Sequence, residues 1–149
     1  MTKHKQVKVL DFECDEDLAE LLELVNRLGA RTMWSCQDHC GLDPREVLVV
    51  FHGSMQMSRF LNMVADPAEE DDPHSLTRRA VLTHHGWDDE RWHYQVTPYL
   101  RGGSGGYVDG SDEMRVMFPF SDLDEVVARL RKVAGPRATA ITYSNGEGN

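Results

Sequence analysis

Cysteine is scarce, with three in 149 residues. An odd count leaves a thiol unpaired, which argues against a disulfide-stapled scaffold and for a reducing, cytoplasmic setting. Long apolar runs are missing as well. No stretch reaches the roughly 20 residues of a bilayer-crossing helix, so no membrane partner is expected. Lys3, His4 and Lys5 make the start basic, but Val7 to Asp11 does not read as the core of a signal peptide. Positive charge is also in short supply. Sixteen Lys and Arg face 25 Asp and Glu, for a formal charge of −9. Electrostatic nucleic-acid binding needs a basic face, so nucleic acid is not an expected partner. What is present is a 40% hydrophobic content, which excludes global disorder. The length suits a single domain spanning 1–149 that buries roughly 70% of its unfolded surface.

Three strand-to-helix units stand out. Val7 to Glu13 reads as a strand, followed from Asp15, the expected N-cap, by a helix to about Leu28. Leu18, Leu21, Leu22, Val25 and Leu28 give that helix its apolar face, and Gly29 stops it. Val47 to Phe51 is an unbroken apolar run, the mark of a central strand. Ser54 is expected to cap the helix after it, which carries Met57, Phe60, Leu61 and Val64. Met114 to Phe120 forms the third strand, with Ser121 as cap and Asp124 three residues on, close to a capping box. Leu123, Val126, Val127, Leu130 and Val133 line its helix, and Gly135 and Pro136 end it.

The outer two units align without gaps: Leu10 on Val116, Leu24 on Leu130, Gly29 on Gly135, Arg31 on Arg137. Each runs into an extended segment, Thr32 to Cys36 and Ala138 to Tyr143. This suggests a duplicated βαβ half, although any capped strand–helix unit shares such features. Between them lie an acidic, proline-bounded loop at 66–74 and a short helix over Ser75 to Thr83. The segment from Trp92 to Leu100 alternates and should pair antiparallel with Met114 to Phe120. A glycine-rich loop at 101–110 follows it, and the tail from Ser144 should fray. The expected class is α+β, a mostly antiparallel sheet with helices on one face, nearest to a ferredoxin-like plait.

Chemistry-bearing residues crowd at Ser35, Cys36, Gln37, Asp38, His39 and Cys40, at a strand end. Three readings compete there. Cys36, His39 and Cys40 are soft ligands for zinc, with Cys14, His84 or His85 available to complete a tetrahedron. Cys36 beside His39 also has the makings of an activated nucleophile. The third reading is structural, with buried thiols and a capped turn. The glycine-rich loop offers mobile backbone with Arg101 as an anion clamp, and Trp92 and Tyr107 as stacking surfaces. No phosphate-loop or dinucleotide fingerprint accompanies it. The acidic residues Asp11, Glu13, Asp15, Glu16 and Asp17 suit either a solvated surface or a basic protein partner. Among Met55, Met57 and Met63, core packing is expected over an adaptable interface.

The run Gly29, Thr32, Ser35, Cys36, Gln37, Asp38 after a leucine-rich helix resembles a motif of actinobacterial and phage proteins. Its pattern is Gly-x-x-Thr-x-x-Ser-Cys followed by Gln or Glu. Arg115 to Leu123 is similar to a strand-to-helix turn in the same proteins, so the two pieces cover about a third of the chain. That family has no assigned mechanism, and the resemblance implies an accessory protein of the bacterial host cytoplasm. Thr32, Ser35 and Cys36 also match the spacing of a motif in wybutosine-synthesising tRNA methyltransferases. Gln37, Asp38 and His39 depart from the Ser-Gly-Arg that follows there. His84 and His85 before Trp87 are similar to the paired histidines of pterin-4a-carbinolamine dehydratases, with Gly86 in place of a proline.

The leading expectation is a non-enzymatic protein binding a small anionic or nucleotide-like ligand, as a counter-defence protein would to sequester a signal. Its site would join Ser35, Cys36, Gln37 and Asp38 to Arg101, Tyr107 and Trp92. One alternative is an acidic protein-interaction or inhibitor module. Another is a zinc- or cysteine-dependent enzyme acting on a nucleotide or RNA. A homodimer is compatible with an exposed edge strand and a duplicated unit.

Overall fold

The computed structural model describes residues 4–37, 45–80, 92–97, 113–136 and 144–145. Its centre is the apolar run at 47–51. Strands β3 (Thr32–Cys36), β4 (Glu46–His52), β5 (His93–Thr97) and β6 (Glu113–Pro119) form an antiparallel sheet in the order β3-β4-β6-β5. Val47, Val49 and Phe51 of β4 face the main core, as do Met114, Val116 and Phe118 of β6, their cross-strand partners. Leu48 and Val50 point the other way and are fully buried too. The unbroken run therefore does what such runs do, lying in a strand covered on both faces.

Helices α1 (Ala19–Arg27), α2 (Ser54–Val64) and α4 (Leu123–Ala134) supply the layer over the sheet, with a short α3 (Leu76–Ala80). Leu21, Leu22 and Val25 from α1 meet Val126, Val127 and Leu130 from α4 in one cluster. Phe60 and Val64 anchor α2, with Met57 and Met63 packed against the core and Met55 exposed. The expected α+β class, helices against an antiparallel sheet, is what forms.

Several local expectations are corrected. The strand anticipated from Val7 to Glu13 is a hairpin, β1 (Gln6–Val9) and β2 (Phe12–Asp15), turning at Leu10 and Asp11. Leu10 takes φ +54°, a left-handed conformation usually left to Gly or Asn, so nothing in the composition marked a turn. Asp15 stands before a 3-10 turn (Glu16–Leu18) but caps nothing with its side chain. Gly53 at φ +84°, not Ser54, precedes α2. Ser121 lies inside a 3-10 turn (Phe120–Asp122), and Asp122 leads into α4. In the tail, β7 (Ser144–Asn145) pairs with β1, making a second sheet in the order β2-β1-β7. The residue-by-residue repeat does not carry into the fold, since Leu10 is an exposed turn residue whereas Val116 is buried in β6.

The acidic loop is more than solvated charge. Arg129 on α4 grips both oxygens of Glu69, at 2.7 and 2.9 Å, and donates to the Val64 carbonyl at 2.8 Å. Thr77 also donates to Glu69. One acidic residue thus ties the loop to two helices, while its neighbours 70–74 face solvent.

Tyr94 on β5 packs against the core and donates its hydroxyl hydrogen bond to the Ala80 carbonyl. Burial pushes the phenol pKa well above its ordinary value of 10.0. A folded value above the unfolded one means that its contribution is whole below about pH 10 and is lost as pH climbs toward the folded value. The wild type should therefore lose stability steeply above about pH 10. Tyr94→Phe should be weaker at pH 7 by about 1 kcal/mol, the lost hydrogen bond, and should show a shallower alkaline decline. Urea melts from pH 7 to 11 measure both, and identical alkaline slopes would refute this assignment.

Candidate functional site

Two sheets meet where the end of β2 comes alongside β3 without a strand ladder between them. The junction is held instead by side chains, with Asp15 at their centre. Asp15 closes β2 and is 7% exposed. The Gln37 backbone N–H donates to its Oδ2 at 2.9 Å, His4 Nδ1 lies 3.1 Å from the same oxygen, and Gln6 Nε2 donates to Oδ1. A carboxylate removed from water needs such partners, and here they come from the N-terminal arm, β1 and the end of β3.

Gln37 is committed to the same joint. Its Oε1 accepts from the Asp17 N–H at 3.1 Å, and its carbonyl accepts from Arg45 Nε at 2.9 Å. Arg45 also lies over the Phe120 ring at 3.6 Å and reaches Asp17 at 3.3 Å. Gln37 therefore works for the fold, with little left to offer a ligand.

Cys36 is half-buried at the end of β3. Its Sγ, a ring nitrogen of His4 and a carboxylate oxygen of Asp15 all lie within 4.8 Å of one another. Among the described residues this is the one cluster of three such groups close enough together to be candidate metal ligands. It shares only Cys36 with the expected set Cys36, His39 and Cys40. His39 and Cys40 lie outside the described residues, as do Asp38, His84, His85, Arg101 and Tyr107. Cys14 on β2 is buried, and burial, with the Asp15 charge beside it, pushes its thiol up to about 11. It stays a protonated, apolar filler at neutral pH.

A cleft of about 460 Å³ opens between the hairpin, α1 and β3. Ser35 and Thr32 line its β3 wall, Asp11 and Glu13 its hairpin wall, and Arg31 and His52 also border it. Trp34 borders it too and is 44% exposed, with the Arg115 guanidinium 5.3 Å from its ring centre. Asn26 shapes the wall: its amide donates to Thr32 Oγ1 at 2.9 Å and accepts from the Thr32 N–H at 3.1 Å, fixing where β3 begins. Gln6 lines the cleft and also bonds Asp15, so the cleft and the Cys36 cluster are adjacent.

Trp92 is placed elsewhere. It is 1% exposed, stacked on Phe118 at 4.5 Å, and donates from Nε1 to Asp122 at 3.0 Å. Its ring has no face left for a ligand. Of the expected site residues described, Ser35, Cys36 and Gln37 are together, and Trp92 is a core residue. Sequence reasoning missed His4 and Gln6, and read Asp15 as a cap. The acid followed a strand and preceded a helix, which is the signature of a cap. Only the hairpin turn at Leu10 brings β1 back alongside it.

Comparison with protein-family models, with curated proteins and with solved structures yields no match. No helix among the described residues is long and apolar enough to cross a membrane.

Proposed function

We propose that the protein is a non-catalytic accessory protein that binds a small polar ligand with a flat ring, of the nucleoside or nucleoside-monophosphate type. The observation that carries this reading is the polar cleft beside β3. Its size falls in the range of small-molecule sites. The exposed Trp34 at its edge offers a ring to stack on, and Ser35 and Thr32 offer hydroxyls. Arg31 and His52 suit one anionic group. Asp11 and Glu13 face them across the hairpin, which favours ring N–H or ribose hydroxyl donors there and disfavours a polyphosphate.

Native mass spectrometry of the protein purified without chelator tests it, followed by thermal-shift titration with nucleosides and their mono- and triphosphates. Retained organic mass, or stabilisation by a monophosphate beyond that by the triphosphate, is expected. Trp34→Ala and Arg31→Ala should each weaken binding about tenfold or more while leaving the unliganded melt unchanged, which is about 1.4 kcal/mol of affinity. Binding that survives both substitutions would place the ligand elsewhere.

A further inference from the structure

We infer that His4, Asp15 and Cys36 form a binding site for a borderline-soft divalent cation of the zinc class. The three residues come from separate parts of the chain: the N-terminal arm, the end of β2 and the end of β3. They bring one imidazole, one carboxylate and one thiol to a common point, each within 4.8 Å of the others. Bound to zinc at about 2.0–2.3 Å, ligand atoms of a tetrahedral site stand about 3.3–3.8 Å apart. The observed cluster needs a contraction of about 1 Å to reach that spacing, within the reach of side-chain rotation. His4 Nδ1 and Asp15 Oδ2, at 3.1 Å, are already that close.

The surroundings are those of a held ligand set. Gln6 and the Gln37 N–H fix the Asp15 carboxylate by hydrogen bonds, which is how ligating carboxylates are oriented. Asp15 is buried, so the cation would meet a carboxylate that water hardly screens. Binding would release the Cys36 thiol proton to solvent, move the His4 ring proton that faces Asp15 to the other ring nitrogen so that a lone pair meets the cation, and place thiolate and carboxylate against the dication, cancelling its charge. Among the described residues no fourth such group joins the three. The chemistry of the set, one N, one O and one S donor, favours zinc or cobalt over calcium or magnesium, which take oxygen.

Titration of the full chain with Co²⁺ and Zn²⁺ under reducing conditions tests the site. Cobalt bound by a thiolate gives a sulfur-to-metal charge-transfer band that carboxylate or imidazole binding lacks. One equivalent of Co²⁺ should produce that band, and Zn²⁺ should abolish it by displacement. Cys36→Ser should eliminate the band, and His4→Gln should weaken binding by about tenfold or more, since losing even a partner that orients a ligand costs about 10–100-fold. Cys14→Ser should leave the band in place, and magnesium should not compete. Circular dichroism of each variant without metal shows whether its fold is retained. No band in the folded wild type would overturn the site. So would a band lost in Cys36→Ser but untouched in His4→Gln, which would assign the metal to Cys36 with His39 and Cys40. The outcome is independent of the nucleoside titration, because either site can fail alone.

Discussion

Trp92→Ala should cost about 4–5 kcal/mol and lower the melting temperature by roughly 10–20 °C, with no selective effect on ligand binding. The ring is sandwiched in the core, 4.5 Å from Phe118 and 6.1 Å from Phe60, whose other face stacks on Phe51 at 5.1 Å. Removing it leaves a void bounded by rigid aromatics on a central strand and a helix, which cannot collapse to fill it. The lost hydrogen bond to Asp122 adds only about 1 kcal/mol, because Arg79 still holds both carboxylate oxygens, at 2.9 and 3.3 Å. Trp92→Phe separates the two contributions: it keeps most of the ring and loses the N–H, for about 1–2 kcal/mol. Against a total stability of about 5–15 kcal/mol, the alanine variant falls near the threshold of folding. Chemical denaturation of the three proteins decides it. An alanine cost below about 2 kcal/mol, or a folded variant that has lost only ligand affinity, would return Trp92 to the role of a stacking platform.

Why the sequence misplaced Trp92 is physical. Its flanks alternate as an edge strand does, and Tyr94 faces the core as that alternation requires, paired with Val116. Val96, one step further and opposite the buried Met114, is 56% exposed. The pattern gives the face and not the depth. A tryptophan at a strand start beside a glycine-rich loop reads as exposed until Asp122 and Arg79, 30 and 43 residues away from their partners in this network, are brought to it.

Elements set by local periodicity were legible: α1, α4, β4, β6 and the antiparallel pairing of β5 with β6. Helix starts were not: Asp15, read as a cap, serves instead as a buried acceptor joining distant elements, and Ser121, the other expected cap, lies inside the 3-10 turn before Asp122, a second such acceptor. An Asp before a helix satisfies N–H groups wherever they are; the backbone amides of its own helix are merely the nearest in sequence. The candidate site was half legible for the same reason. Ser35, Cys36 and Gln37 form a contiguous run, but His4 is 11 residues from Asp15 along the chain and reaches it only through the hairpin.

Asp15→Ala should cost about 2–4 kcal/mol and loosen the hairpin before the rest of the molecule. The substitution strands the Gln37 N–H, whose surroundings are buried, and that donor alone costs about 1–3 kcal/mol. Gln6 and His4 lose their acceptor too, but each side chain can turn toward water, so their share is smaller. Asp15→Asn should cost less than alanine, about 1 kcal/mol. Its Oδ1 can keep the Gln37 N–H while the Gln6 amide turns over so that its Oε1 accepts from the new NH₂, and what is lost is the charge that strengthened these bonds and the His4 contact. The damage should be local, because no backbone ladder joins β2 to β3 and this carboxylate supplies their hydrogen-bonded link through Gln37. Hydrogen exchange should show Val7 and Val9 losing protection in the alanine variant and less so in the asparagine variant, while Val49, Val116 and Leu130 retain theirs until global unfolding. Uniform loss across both sheets would mean that Asp15 stabilises the whole domain. Unchanged protection at Val7 and Val9 would mean that packing of Val7, Val9 and Cys14 on the core holds the hairpin without it.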